Sequence, residues 1–143
     1  YLELVKEFDL GFLEDMFEED DYAAWKNLMD HCESIDKSIQ IVSDDFTATN
    51  LERLDKISLL ESINNVVVKP SQAGTVSEVI HFAAQAKKHG LNVTVSYRHG
   101  ESEDTFISDL AVGVGAEMIR TGYFKGSEHN SKLNRLLQIE TEV

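Results

Sequence analysis

NVVVKPSQAGTVSEVIHFAAQAKKHG, residues 65–90, contains one complete strand-then-helix unit. The valines that follow Asn65 form a short β-branched apolar run, and Pro70, which restricts Lys69 to extended geometry, marks where that run ends. Thr75 with Glu78 three residues later has capping-box spacing, in which side chains satisfy the free backbone N–H groups at a helix start. Gly90 sits where a helix commonly stops. The stretch therefore reads as a strand over Asn65–Lys69 and a helix over Thr75–His89.

The same alternation extends in both directions. Further strands are expected at Leu10–Asp15, Ile39–Asp44, Leu91–Arg98 and Met118–Thr121. Helices are expected at Asp20–Glu33, at Asn50–Glu61 with Asn50 as its cap, at Glu103–Gly115, and at Glu128–Glu140 as a closing element. Strands that are mostly apolar on both sides imply a parallel sheet buried on both faces. The fold class is α/β with about five strand–helix units, which fits either an open doubly wound sheet or part of a closed (β/α)8 barrel. No GxGxxG loop is present, which speaks against a nucleotide-binding sheet. Each strand ends on polar residues: Glu14 and Asp15, Asp44 and Asp45, Lys69, Tyr97 and Arg98, and Arg120. In a barrel these ends share one mouth, where such enzymes place their chemistry.

With 143 residues and 42% hydrophobic content the chain can bury one ordinary core, so residues 1–143 are read as one domain or a piece of one. The lack of a Met before Tyr1 suggests a clipped or partial chain. Thirteen basic residues against 26 acidic ones give a net charge of -13, which repels polyphosphates and anionic membranes and argues against nucleic acid as a partner. Cys32 stands alone, which excludes an intrachain disulfide and points to a reducing, cytoplasmic setting. No apolar run is long enough for a membrane span, and no signal peptide is visible at Tyr1.

The strand-end residues admit paired readings. Glu14 and Asp44 could hold a divalent cation, for which Mg²⁺ is the natural guest, or with Asp15 and Asp45 they could cap the following helices. Lys69, desolvated and near a metal, could be a general base; otherwise it forms a salt bridge with Glu14 or Asp44. Arg98 and Arg120 suit a carboxylate or phosphate through the guanidinium fork, or they neutralise the acids of the mouth. His99 could join that anion site or cap a loop. His31, His81 and His89 read as surface or interface residues and Trp25 as core, while Cys32 lacks an activating partner.

The segments Phe12–Phe17 (FLEDMF), Asp20–Trp25 (DDYAAW), Ser43–Asn50 (SDDFTATN), Val68–Thr75 (VKPSQAGT), Ser96–Phe106 (SYRHGESEDTF), Ile119–Gly122 (IRTG) and Lys132–Glu140 (KLNRLLQIE) together resemble the enolase family, in its order and spacing and over nearly the whole chain. The resemblance implies the C-terminal portion of an enolase-type TIM barrel. It also implies Mg²⁺-dependent dehydration of 2-phosphoglycerate to phosphoenolpyruvate, a glycolytic lyase reaction. It places Glu14 and Asp44 on metal ligands, Lys69 on the general base, and Ser96 and Arg98 on the substrate phosphate. Tyr97 stands where the family has a histidine, His99 where it has a serine, and Arg120 where it has a lysine that grips the substrate carboxylate; Pro70 and Ser71 also depart from its pattern. The N-terminal domain, the early barrel strands, a third metal-ligating acid and the general-acid glutamate would lie upstream, so the missing half is expected in cis or in trans, in a homodimer or a larger assembly. The alternative is a catalytically impaired, enolase-like protein with a binding or structural role.

Overall fold

Short parallel strands and longer helices alternate along the chain in a computed structural model that describes residues 1–36 and 38–142. The elements are α1 (Leu2–Phe8), β1 (Phe12–Glu14), α2 (Tyr22–Ile35), β2 (Gln40–Ser43), α3 (Leu51–Ser58), β3 (Asn65–Val68), α4 (Pro70–Ala73), α5 (Val76–Lys88), β4 (Asn92–Ser96), α6 (Phe106–Gly113), β5 (Met118–Arg120) and α7 (Ser127–Glu142). The sheet order is β1-β2-β3-β4-β5, every neighbouring pair parallel. A doubly wound sheet reverses its strand order at a switch point, whereas unbroken sequential order is that of a (β/α)8 barrel. The two readings of the periodicity are thus separated in favour of the barrel. β1 and β5 end the sheet, each bonded on one side only, and Phe12 on β1 is 41% exposed.

Side-chain alternation along the strands supplies the core. Leu13, Ile41, Val66, Val68, Val93 and Val95 join Trp25, Leu28, Leu54, Ile57, Val79 and Phe82 from the helices in one buried cluster. Burying each such side chain contributes roughly 1.5–3 kcal/mol. Trp25 stacks on Phe46 with ring centroids 4.3 Å apart, and its indole N–H donates to the Glu18 carbonyl at 3.2 Å. Cys32 is buried, and burial pushes its thiol pKa up, in keeping with an inert side chain.

The expectation of strands mostly apolar on both sides holds in part: Val42 and Val67 are fully buried on the face opposite the core residues named above, but polar side chains share that face. The positions between the core residues include Gln40, Asn65, Asn92 and Thr94, and they bond to one another. Gln40 Oε1 accepts from Asn65 Nδ2 at 3.3 Å and Asn92 Nδ2 at 2.8 Å, and Thr94 Oγ1 donates to Asn65 Oδ1 at 3.0 Å. Valine-rich composition concealed this polar ladder because the amides stand singly at strand starts.

Helix starts follow the local chemistry. Asn50 accepts from Arg53 N at 3.1 Å, and Thr75 accepts from Glu78 N at 3.2 Å. The return arm of the expected box goes elsewhere: Glu78 accepts from the Thr75 hydroxyl at 2.7 Å. Pro70 ends β3 as expected and also opens α4, where its fixed φ and missing N–H cost nothing. Helix α1 was not foreseen: Val5 is its one buried residue, leaving little amphipathic signal. Helix α6 begins at Phe106 rather than Glu103. No helix among the described residues is long and apolar enough to cross a membrane.

Candidate active site

Parallel strands deliver their C-terminal ends to one side of the sheet. Glu14 closes β1, Asp44 follows β2, Lys69 follows β3, Ser96 closes β4 and Arg120 closes β5. Tyr97 and Arg98, expected within a strand end, lie just beyond it because β4 stops at Ser96. Asp15 turns the chain after β1 at φ +46, and its two carboxylate oxygens accept the backbone N–H groups of Asp44 and Asp45, each at 2.9 Å. Burial raises the Asp15 pKa; those two hydrogen bonds lower it without cancelling the rise, and the neighbouring charges of Asp44 and Asp45 add to it. The acid pairs are therefore not helix caps. Helix α2 is capped by Asp21, which accepts from Ala24 N at 3.0 Å, and α3 by Asn50.

The charged side chains of four strand ends converge. Lys69 Nζ lies 2.5 Å from Asp44 Oδ2, so the lysine makes the salt bridge that is one of its two readings. Arg120 Nη2 pairs with Glu14 Oε2, while its Nη1 is 3.7 Å from Asp44 Oδ2. Burial raises the Glu14 pKa; the Arg120 hydrogen bond and charge lower it, and Asp44 and Asp15 raise it further, with a net upward shift. Asp44 Oδ1 is buried without a hydrogen-bond partner. A buried carboxylate oxygen with spare acceptor capacity suits a hard cation, so Glu14 and Asp44 fit two positions of a Mg²⁺ coordination sphere. Among the described residues no group of three or more His, Cys, Asp or Glu side chains could hold a metal, so further donors would have to come from outside them.

Lys69, Ser96, Tyr97, Arg98, His99 and Arg120 line a cleft of about 430 Å³ beside these ion pairs. Every residue expected to bind an anion is therefore on one wall. Ser96 is buried, its hydroxyl donating to the Tyr97 carbonyl at 2.9 Å, whereas Arg98 and His99 are exposed. The Tyr97 ring leans on His129 of α7, with centroids 5.5 Å apart at 57°.

Two supporting residues escaped the sequence reading. Thr49 has φ +50, rare for a β-branched residue, and its hydroxyl accepts from Lys69 N at 3.0 Å while donating to Gln72 Oε1 at 2.8 Å. Nothing in the local pattern announces that conformation. Lys132 is fully buried; it pairs with Glu101 at 3.0 Å and also donates to the carbonyls of Ser102 and Glu128, fastening the loop after β4 to α7. Its helical spacing to Leu136 and Ile139 is the signal that places it inward.

Comparison with known proteins bears on the whole chain. The family described as enolase, C-terminal TIM barrel domain, matches residues 1–143. A protein named "Enolase" from Pelagibacter ubique is 42% identical over 143 residues, which cover all of this chain and 33% of that protein. An "Enolase" from Ureaplasma parvum is 41% identical over 140 residues, 98% of this chain and 31% of its own length. "Enolase B" of Dictyostelium discoideum is 41% identical over 143 residues, 100% of this chain and 32% of its own. The chain thus spans about a third of the length of the curated relatives it matches. With sequential parallel strands and a charged mouth at their C-terminal ends, the chain belongs to the enolase family, within its C-terminal TIM-barrel domain.

Proposed function

We propose that this chain forms the later strands of an enolase barrel that dehydrates 2-phosphoglycerate to phosphoenolpyruvate in cytosolic glycolysis, completed by an N-terminal domain and early barrel strands in cis or in trans. The observation that carries the reading is the convergence of Glu14, Asp44, Lys69 and Arg120 at one mouth, beside a cleft that also holds Ser96 and Arg98. The substrate carries a carboxylate and a phosphate, and the cleft presents cations suited to both.

Arg98 and the Ser96 hydroxyl bind the phosphate, with Tyr97 and His99 shaping the same wall. Arg120 grips the carboxylate. Lys69 takes the proton from the carbon next to that carboxylate, and Thr49, by accepting the Lys69 backbone N–H, fixes where the lysine stem starts. Glu14 and Asp44 would hold Mg²⁺, which when bound would supply positive charge to offset the negative charge that develops on the substrate. The hydroxyl leaves as water with a proton from a group outside this chain. The early barrel strands would pair with the open edges of β1 and β5, and a homodimer or larger assembly is the proposed context of the completed protein.

The test is formation of phosphoenolpyruvate, followed by absorbance, with and without Mg²⁺, using the full-length protein and its K69A variant. Mg²⁺-dependent turnover abolished in K69A supports the proposal. A folded full-length protein with no turnover overturns it and favours a binding role, the reading to which the closed pairing of Arg120 with both carboxylates lends weight.

A further inference from the structure

We propose that Arg120 is a built-in competitor for the cation site: its guanidinium bridges Glu14 and Asp44, and a divalent ion must displace it to bind. The inference rests on the reading of Glu14 and Asp44 as cation ligands and adds a residue that sets the affinity of that site.

The geometry is specific to the forked side chain. One terminal nitrogen, Nη2, pairs with Glu14 Oε2, and the other, Nη1, lies 3.7 Å from Asp44 Oδ2. These oxygens belong to different strand ends, and one guanidinium spans both because its donors are held apart in a rigid plane. A lysine ammonium is a single point of charge and would serve one carboxylate well or both poorly. Asp44 Oδ2 is also held by Lys69 at 2.5 Å, so two cationic side chains already offset the charges of the two carboxylates. Among the described residues the oxygens left without a protein partner are Asp44 Oδ1, which is buried, and Glu14 Oε1. One oxygen on each carboxylate is a poor anchor for a hard ion that demands several, the more so beside a guanidinium that bridges the other two. Of the two cations Arg120 is the more readily displaced: its side chain is 35% exposed against 14% for Lys69, and it borders the open cleft. Swinging into that cleft frees Glu14 Oε2 and takes the positive charge away from Asp44, whose Oδ1 is already open while Lys69 keeps Oδ2.

The experiment titrates Mn²⁺ into the metal-free full-length protein and reads unbound Mn²⁺ by electron paramagnetic resonance, which requires no turnover. Wild type is compared with R120M, R120K and D44N, with circular dichroism confirming native structure. Removing a bridging charge at this distance should tighten Mn²⁺ binding in R120M by about tenfold or more. R120K is the decisive arm: charge is kept and the bridge is lost, so its affinity should fall between wild type and R120M, and R120K alone carries the test should R120M fail to fold. R120K equal to wild type beside a tighter R120M would show only the loss of one positive charge and overturn the bridge. Equal affinities in wild type, R120M and R120K, with binding lost in D44N, would overturn competition while leaving the cation site intact. No binding in any of the four would overturn both the competition and the cation reading on which it rests.

Discussion

The two ends of the same sheet handle polar groups in opposite ways. At the N-terminal ends of the strands, neutral amides are tied into register. Asn64 Oδ1 accepts from Ile41 N and its Nδ2 donates to the Ile39 carbonyl, both at 2.8 Å, while its own carbonyl accepts from Asn92 N at 2.9 Å. Glu117 adds a carboxylate that accepts the Val93 N–H at 2.7 Å. At the C-terminal ends, charged groups pair chiefly with each other, and one buried oxygen of Asp44 is left without a partner. Side chains bonded to backbone hold the sheet in place. Charges paired with charges can exchange partners for a ligand, and this end is where barrel enzymes concentrate chemistry.

The largest contrast should come from Lys69. If Lys69 is the proton acceptor proposed above, K69A should lower kcat of the full-length protein by about 10³-fold with native circular dichroism retained. The matching change at the other end is N64A, which strips partners from Ile41 N–H and the Ile39 carbonyl. It should cost about 2–3 kcal/mol in urea unfolding of the full-length protein and leave turnover per folded molecule unchanged. Lost turnover at unchanged stability would break the division between the two ends. Asp15 sharpens the comparison because it is a mouth residue acting through backbone: D15A should loosen Asp44 and weaken Mn²⁺ binding by about tenfold, with stability reduced by about 1 kcal/mol.

The smallest effect concerns pH at the N-terminal end. Burial pushes the Glu117 carboxyl up, but the Val93 N–H, its own backbone N–H and Lys87 outweigh burial and hold it below its ordinary value of 4.5. Folding therefore favours the ionised form. Its stabilising contribution is present above about pH 4.5 and is lost as pH falls through the lower folded value. The melting temperature of wild type should exceed that of E117Q at pH 7 and converge with it under acid. A gap that widens in acid would reverse the sign assigned to Glu117.

Much of this architecture is legible locally. The valine run before Lys69, the caps at Asn50 and Thr75, the stop at Gly90 and the burial of Trp25 each depend on neighbours within a few residues or on bulk apolar character. Strand ends are less legible, since Tyr97 and Arg98 continue a plausible strand pattern yet lie beyond the last bonded residue of β4. The left-handed backbone at Thr49 and the staple from Asp15 to Asp44 and Asp45 carry no local signature, because their partners are distant in the chain.

The sequence by itself determined the alternation of strand and helix, the residue types at each strand end and, through seven separate motifs, the family. It could not choose between metal ligand, cap and salt bridge for Glu14, Asp44 and Lys69. Only the tertiary structure brought Arg120 to Glu14 across 106 positions, put both Lys69 and Arg120 on Asp44, and left one Asp44 oxygen unpartnered. The reason is physical: capping and periodicity act over one or two turns of chain, whereas ion pairing depends on distance in space, and that distance was set by which strands lie side by side.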